Sequence, residues 1–366
     1  MTRKRLSNVQ ALRGVAALLV LAMHATVRQV KSFGADGAGM REAAHVARSI
    51  GHLGVDLFFV ISGFIIFTVV TQASQRSTTG VARLREAGQF LWRRALRIYP
   101  LYWLTAAVML ALSGLFPRLD ADPSARLLPQ VLLVTRHIDM HYVAWTLAFE
   151  MYFYGVVAAC LLAFGARAKL GVAFWIITET VLIAAWCIAP DSDSWLAYWR
   201  HSILLDPMVL EFGLGCGVAA LVAHRPRLPA IPLTVAALVP ITIGAWQLHA
   251  RPMIGLTADP YLRLAYFGTG ATLLLTGAVL LERQDRWVAP RWLQALGDAS
   301  FTLSLAYPGD HRARRAGPSG SVRMVEGERR HGASGERRSA ARRICELPLD
   351  RTAIAGPSQG LAARKY

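Results

Sequence analysis

Long apolar runs alternate with short polar connections along most of the chain. A hydrocarbon core about 30 Å thick takes roughly 20 mainly apolar residues per helix. Eight runs approach that length, at about 9–29, 51–71, 98–116, 143–164, 170–189, 201–223, 230–249 and 262–281. A ninth begins near Ala299 and stops at Pro308, half the needed length. The run 127–134 (LLPQVLLV) is too short to span and is expected at a surface. The pattern predicts an all-α polytopic transmembrane helical bundle of about eight full spans plus a truncated ninth.

Charge orients the spans. Arg3, Lys4 and Arg5 precede the first. The second connection holds Arg76, Arg83, Arg85, Arg93, Arg94 and Arg97 against Glu86, and the fourth, sixth and eighth are also basic. Asp120, Asp122 and Asp139 fall in the third connection, Asp191 and Asp193 in the fifth. This alternation places the N-terminus in the cytoplasm. A cleavable leader over 1–29 is the rival reading, with AMHA as a loose cleavage site. Arg13 inside the apolar stretch and seven further spans favour an uncleaved first helix.

Composition agrees with a membrane protein. The 366 residues are 54% hydrophobic and 17% charged, against about 25% charged in soluble domains. Four cysteines exclude a disulfide scaffold,. The net charge of +17 raises nucleic acid as a partner, but the basic residues lie between apolar runs, as in cytoplasmic loops. No zinc-ligand spacing or RNA-binding signature accompanies them. The expected partner is therefore the lipid bilayer rather than nucleic acid, and no metal or tightly bound prosthetic group is indicated.

Ionisable residues inside spans are costly, so each is a functional candidate. Arg13 and His24 are eleven residues apart, which puts them on one helix face, about 16 Å apart along the axis. Taken singly, Arg13 also reads as a snorkelling anchor and His24 as an interhelical hydrogen-bonding group. Asp56, near the outer end of span two, reads as a helix-end or pairing group. Ser62-Gly63 permits close packing, as do Gly213, Gly215 and Gly217. Arg94 and Arg97 share a face and suit phosphate, which guanidinium forks bind bidentately. Glu150 lies about two turns inside span four, at an expected depth near that of His24. A His24–Glu150 pair would orient the imidazole and stabilise its cation during proton transfer; a purely structural pair is the alternative. Trp145 is carried with Asp56 as substrate or structural support. Glu179, Asp206 and Glu211 receive no role.

Five segments occur in order: QALRGVAALLVLAMHA, GVDLFFVISGFIIF, RRALRIYPLYWL, VAWTLAFEMYFY and LGDASFTLSLAYP. Together, over about residues 6–308, they resemble the membrane acyltransferase 3 family, the O-antigen and exopolysaccharide O-acetylase-like proteins. The resemblance implies about ten spans and a bacterial inner-membrane location. It implies transfer of an acyl group, usually acetyl from cytoplasmic acetyl-CoA as co-substrate, to an envelope glycan or another hydroxyl acceptor. The family's Arg-x10-His pattern matches Arg13 and His24, its R-x-x-R pattern Arg94 and Arg97, and its glutamate before an aromatic cluster Glu150. His24 is then the expected catalytic base or transient acyl carrier, with Glu150 beside it and Arg13, Arg94 and Arg97 binding the donor. A macrolide or lipid acceptor, an inactive truncated acyltransferase, and a transporter or flippase are the rival functions. No internal repeat or broken helix pair points to transport.

The chain changes character after Pro308. Residues 309–366 hold 13 Lys and Arg against 6 Asp and Glu, with few apolar groups, and can build neither a span nor a core. Family members usually continue the last helix here, often with a histidine near the position of Tyr307. A reading-frame shift near codon 308 accounts for the change; the alternative is a genuine basic, disordered tail on anionic lipid. The expected division is a membrane acyltransferase domain, 1–308, and a tail, 309–366.

Overall fold

The computed structural model describes residues 6–33, 38–113, 123–135, 138, 143–188, 203–250 and 259–306. The tail and the aspartates of the third and fifth connections lie outside the described residues, as do Arg3, Lys4 and Arg5. All regular structure among the described residues is helical, as lipid demands of chains that must satisfy their own backbone,. The helices are α1 (Ser7–Phe33), α2 (Ala38–Arg76), α3 (Gly80–Ser113), α4 (Pro123–Val131), α5 (Trp145–Phe164), α6 (Ala168–Ile188), α7 (Val209–His224), α8 (Ala230–His249), α9 (Pro260–Arg283) and α10 (Arg291–Ala306). Among the described residues, five stretches are long and apolar enough to cross a membrane: Ser7–Thr26, Gly39–Arg76, Trp145–Ala185, Ala230–His249 and Pro260–Arg283. The protein is a multi-pass membrane protein.

Six of the eight expected spans fall inside those five stretches, because Trp145–Ala185 folds back on itself at Gly165. That residue has φ 51°, which suits glycine, and the ring of Phe153 on α5 lies 5.5 Å from that of Trp175 on α6. The other two spans differ in extent. Helix α3 begins at Gly80, so its first half carries the arginines of the second connection. Helix α7 begins only at Val209 and has 16 residues. Helix α10 begins at Arg291, earlier than the apolar run at Ala299; Gln294 and Asp298 interrupt the apolar pattern of its first half.

Helix α2 is the axis of the bundle. Its 39 residues extend about 58 Å at 1.5 Å per residue, well beyond the hydrocarbon thickness. It runs antiparallel to α1: a β-carbon on Gly51 would meet Met23, and one on Gly54 would meet Ala16 and Val20. On its other side it crosses α7 at a reciprocal pair of glycines. Gly63 lies against the backbone of Phe212, and Gly215 against that of Val60. Helices α1 and α10 meet in the same way, with Gly14 against Leu293 and Gly297 against Gln10. Gly213 instead faces Ile176, and nothing lies near Gly217.

Polar locks fix the end of the bundle where the basic connections gather. Ser7 and Asn8 donate their backbone N–H groups to Glu282 at 2.9 and 2.8 Å, satisfying the open first turn of α1 with an anion. Asn8 also donates to the carbonyls of Ala278 and Trp287 and accepts from the N–H of Ala289. Arg83 donates to the carbonyl of Ala163 at 3.3 Å.

Helix α4 lies alongside the middle of α3. Tyr102, Trp103 and Tyr99 donate to the carbonyls of Gln130, Val131 and Leu132 at 2.9, 3.1 and 2.8 Å. These bonds satisfy orphan carbonyls at the end of α4. Helix α5 starts well inside the bundle: the ring of its first residue, Trp145, lies 6.4 Å from that of Phe59 on α2.

Replacing Gly63 by Val should lower stability by roughly 1–3 kcal/mol, as overpacking does in close-packed interiors. Gly217→Ala, in open space, should be neutral or slightly stabilising, because alanine is the better helix former. Thermal unfolding midpoints in one detergent check the contrast; equal effects would mean that the α2–α7 crossing is not glycine-limited.

Candidate active site

Helices α1, α2, α3, α5 and α10 line an open cavity. Its polar wall contains Arg13, Ser62, Arg94, Arg97, Glu150 and Ser300, and the rest is mainly aliphatic and aromatic. Each polar group arrives by a different local device. The Gly14–Gly297 crossing brings Ser300 against α1, where Arg13 donates to its Oγ at 3.1 Å and to Gln10 Oε1 at 3.2 Å. Arg94 lies over the rings of Phe90 and Tyr154, 5.7 and 5.5 Å from their centroids, a cation–π arrangement that orients the guanidinium. One turn further along α3, Arg97 is exposed at the cavity wall.

Glu150 receives a hydrogen bond from the hydroxyl of Tyr154, one turn along α5, and a longer one at 3.5 Å from Ser62 of α2. It therefore stands level with Arg13 and the α3 arginines, not with His24. The expected His24–Glu150 pair does not form. The physical reason is the deep start of α5, which shifts Glu150 along the bundle relative to the depth inferred from span length alone.

His24 lies beyond the cavity, one helical turn past Val20. Val20 and Val55 line the cavity at the end away from Arg94. The face shared by Arg13 and His24 is thus real, and the cavity runs along it for most of the interval between them. Beside His24 on the facing stretch of α2 is His52, which is 3% exposed and within electrostatic range of His24, Arg48 and Arg263.

Asp56 pairs with Arg263, and both side chains are nearly fully buried at 0% and 5% exposure. Arg263 donates from Nη2 at 2.9 Å and from Nε at 3.2 Å to the same carboxylate oxygen. It belongs to a π-helical turn, Arg263–Gly268, inside α9; such wider turns are common where a helix must re-aim side chains. Glu211 of α7 abuts this pair and is 0% exposed. Asp56, read from sequence as a helix-end or pairing group, is one half of this ion pair. Trp145 does not line the cavity; it stands edge-on to Phe59 and Phe149 at 6.4 and 5.8 Å and closes the aromatic wall behind it.

Sequence reasoning missed Tyr154, Ser300, Arg263 and His52. Tyr154 follows Glu150 by four residues, the spacing of facing side chains on a helix. Arg263 sits one residue inside the expected span 262–281, where the cost of an intramembrane charge already marks it. For Ser300 and His52 no local signal existed, because both gain meaning only from the helix they face.

Residues 6–308 match the family profile described as an acyltransferase domain. The chain belongs to the acyltransferase 3 family, and its activity is that of an acyltransferase. It is 34% identical over 266 residues, 70% of this chain and 75% of the other, to the exopolysaccharide production protein ExoZ of Rhizobium meliloti (strain 1021). A shorter similarity, 33% over 108 residues, links it to protein 2 in the picA locus of Rhizobium radiobacter, covering 30% of this chain and 46% of that one. No solved structure matches. The five segments that carry the resemblance fall, over their described residues, largely on α1, α2, α3, α5 and α10, the same five helices that line the cavity.

The Asp56–Arg263 pair generates a test. Removing one partner of a buried ion pair leaves an uncompensated charge and costs about 3–5 kcal/mol. Asp56→Asn and Arg263→Met should each destabilise on that scale, and the double variant should lose less than the sum. Unfolding midpoints of the three purified proteins decide it; strict additivity would mean that the two side chains do not interact energetically.

Proposed function

We propose that the protein transfers an acyl group, most simply acetyl, from cytoplasmic acyl-CoA to a hydroxyl of an extracytoplasmic glycan such as an exopolysaccharide. One observation carries this reading: a single cavity begins among Arg13, Arg94 and Arg97 and ends one helical turn short of His24. The similarity to an exopolysaccharide production protein supports a glycan acceptor. The basic connections support entry of the donor from the cytoplasm, with the N-terminus on that side. The protein then works in the inner membrane of a bacterium.

In this reading the arginines hold the donor phosphates, because charge-assisted bidentate bonds to phosphate are strong and orienting. The pantetheine arm lies along the apolar wall, and Glu150 offers a carboxylate to its amide N–H groups. The thioester reaches the far end, near Val20 and Val55. There the acceptor oxygen attacks the thioester carbon, and His24 takes the hydroxyl proton as general base. The C–S bond breaks, the ester forms, and the thiolate of CoA takes up a proton. In this reading Glu150, separated from His24, serves donor binding rather than the pairing expected from sequence.

The test is complementation of a gene deletion, with O-acetyl groups on envelope polysaccharide read by proton NMR. The intact reading frame should restore them, and His24→Ala at equal membrane abundance should not. Full restoration by His24→Ala would overturn the assignment. Arg97→Ala should raise the KM for acetyl-CoA about tenfold with a smaller change in kcat, as expected on loss of one charge-assisted contact made in both ground and transition states.

A further inference from the structure

A second open cavity adjoins the first at Arg94, toward the basic end of the bundle. Both are lined by α2 and α3, and Arg94 belongs to both walls. On α2 the lining passes from Ile65 and Ile66 in the first cavity to Val69, Gln72, Ala73 and Arg76 in the second. On α3 it passes from Arg97 and Ile98 back to Arg93, Phe90, Gln89 and Glu86. The two cavities together follow α2 from Val55 to Arg76, about 32 Å of helix.

Their chemistry differs. The first is narrow in function: an apolar slot with three guanidinium groups. The second is a polar groove with two guanidinium groups of its own. Arg93 receives orientation from Gln89, whose Oε1 accepts from Nη2 at 3.1 Å. Arg76 stands 3.9 Å from Glu86 with 65% of its side chain exposed, a solvent-screened contact of small net worth that an arriving dianion can displace. Gln72 supplies a further neutral donor and acceptor to the same groove,.

We infer that this groove between α2 and α3 is the site for the nucleotide end of the donor, with Arg76 and Arg93 binding its ribose 3′-phosphate. The inference rests on the acyl-CoA reading above and extends it. A CoA thioester has a slender pantetheine arm and a compact, highly anionic adenosine end. Arg94, shared by the two cavities, lies where the pyrophosphate joins them. A phosphate monoester carries more charge than the diester-like pyrophosphate oxygens, which suits a pair of guanidinium groups in addition to those of the first cavity.

The test compares binding of acetyl-CoA with acetyl-3′-dephospho-CoA to the full chain in phosphatidylcholine nanodiscs, by isothermal titration calorimetry. The wild type should prefer acetyl-CoA about tenfold or more, the scale of one or two charge-assisted bonds. The double variant R76Q/R93Q should lose that preference while keeping the wild-type affinity for the dephospho compound, which also shows that it is folded. Equal binding of the two thioesters by the wild type would overturn the inference and leave the acyl-CoA reading standing. Binding of neither would overturn the donor reading itself. An inner-leaflet lipid could present similar phosphate chemistry, so the same titrations are run with phosphatidylglycerol added. If the two arginines govern retention of that lipid and not the 3′-phosphate preference, the groove holds lipid and the inference falls.

Discussion

Backbone contact at glycine is the constraint on which the rest of this bundle depends. In lipid there is no hydrophobic force to press helices together, so association relies on close van der Waals approach at small residues. Gly63 and Gly215 bring α2 onto α7, and Gly14 and Gly297 bring α1 onto α10. The second crossing is what sets Ser300 beside Arg13. The first sets Glu211 beside Asp56 and, through the π-helical turn of α9, lets Arg263 reach the same carboxylate. A methyl group at any of these glycines would meet backbone, which cannot give way as a side-chain tip can.

With those crossings in place, the polar groups sort into two levels. Arg13, Arg94, Arg97 and Glu150 gather around one cavity toward the basic end of the bundle. His24, His52, Arg48 and the Asp56–Arg263 pair occupy the other end. An apolar slot joins them. Such an arrangement keeps a polyanionic donor head away from the reacting end, while a slender arm can cover the distance. The buried ion pair also locks α2 and α9 around the histidines, since breaking it would leave a charge in a medium that solvates it poorly.

The sequence was informative about which polar residues stand inside the bundle and less so about how they pair. Arg13 and Glu150 were legible because a charge in an apolar run is costly and therefore marked, Arg94 and Arg97 because their spacing puts two guanidinium groups on one helix face. The shared face of Arg13 and His24 followed from helical periodicity alone, and the structure retains it. The level of Glu150 was not legible. Span-length arithmetic assumes that each helix starts at the membrane surface, whereas α5 starts beside Phe59, well inside the bundle. Trp145, read from sequence as support, becomes part of an aromatic wall with Phe59 and Phe149 for the same reason.

By itself, the sequence determined that the chain is helical, where most of its spans run, which connections are basic and which charged groups the membrane would have to accommodate. These are local properties: run length, residue type and spacing along one helix suffice. Only the tertiary structure decided the partners. Glu150 goes to Tyr154 and Ser62 rather than to His24, Asp56 goes to Arg263, and Arg13 goes to Ser300. Each of those choices depends on the register between helices far apart in sequence, and that register is fixed by non-local contacts at a few glycines, which the pattern of a single helix does not contain.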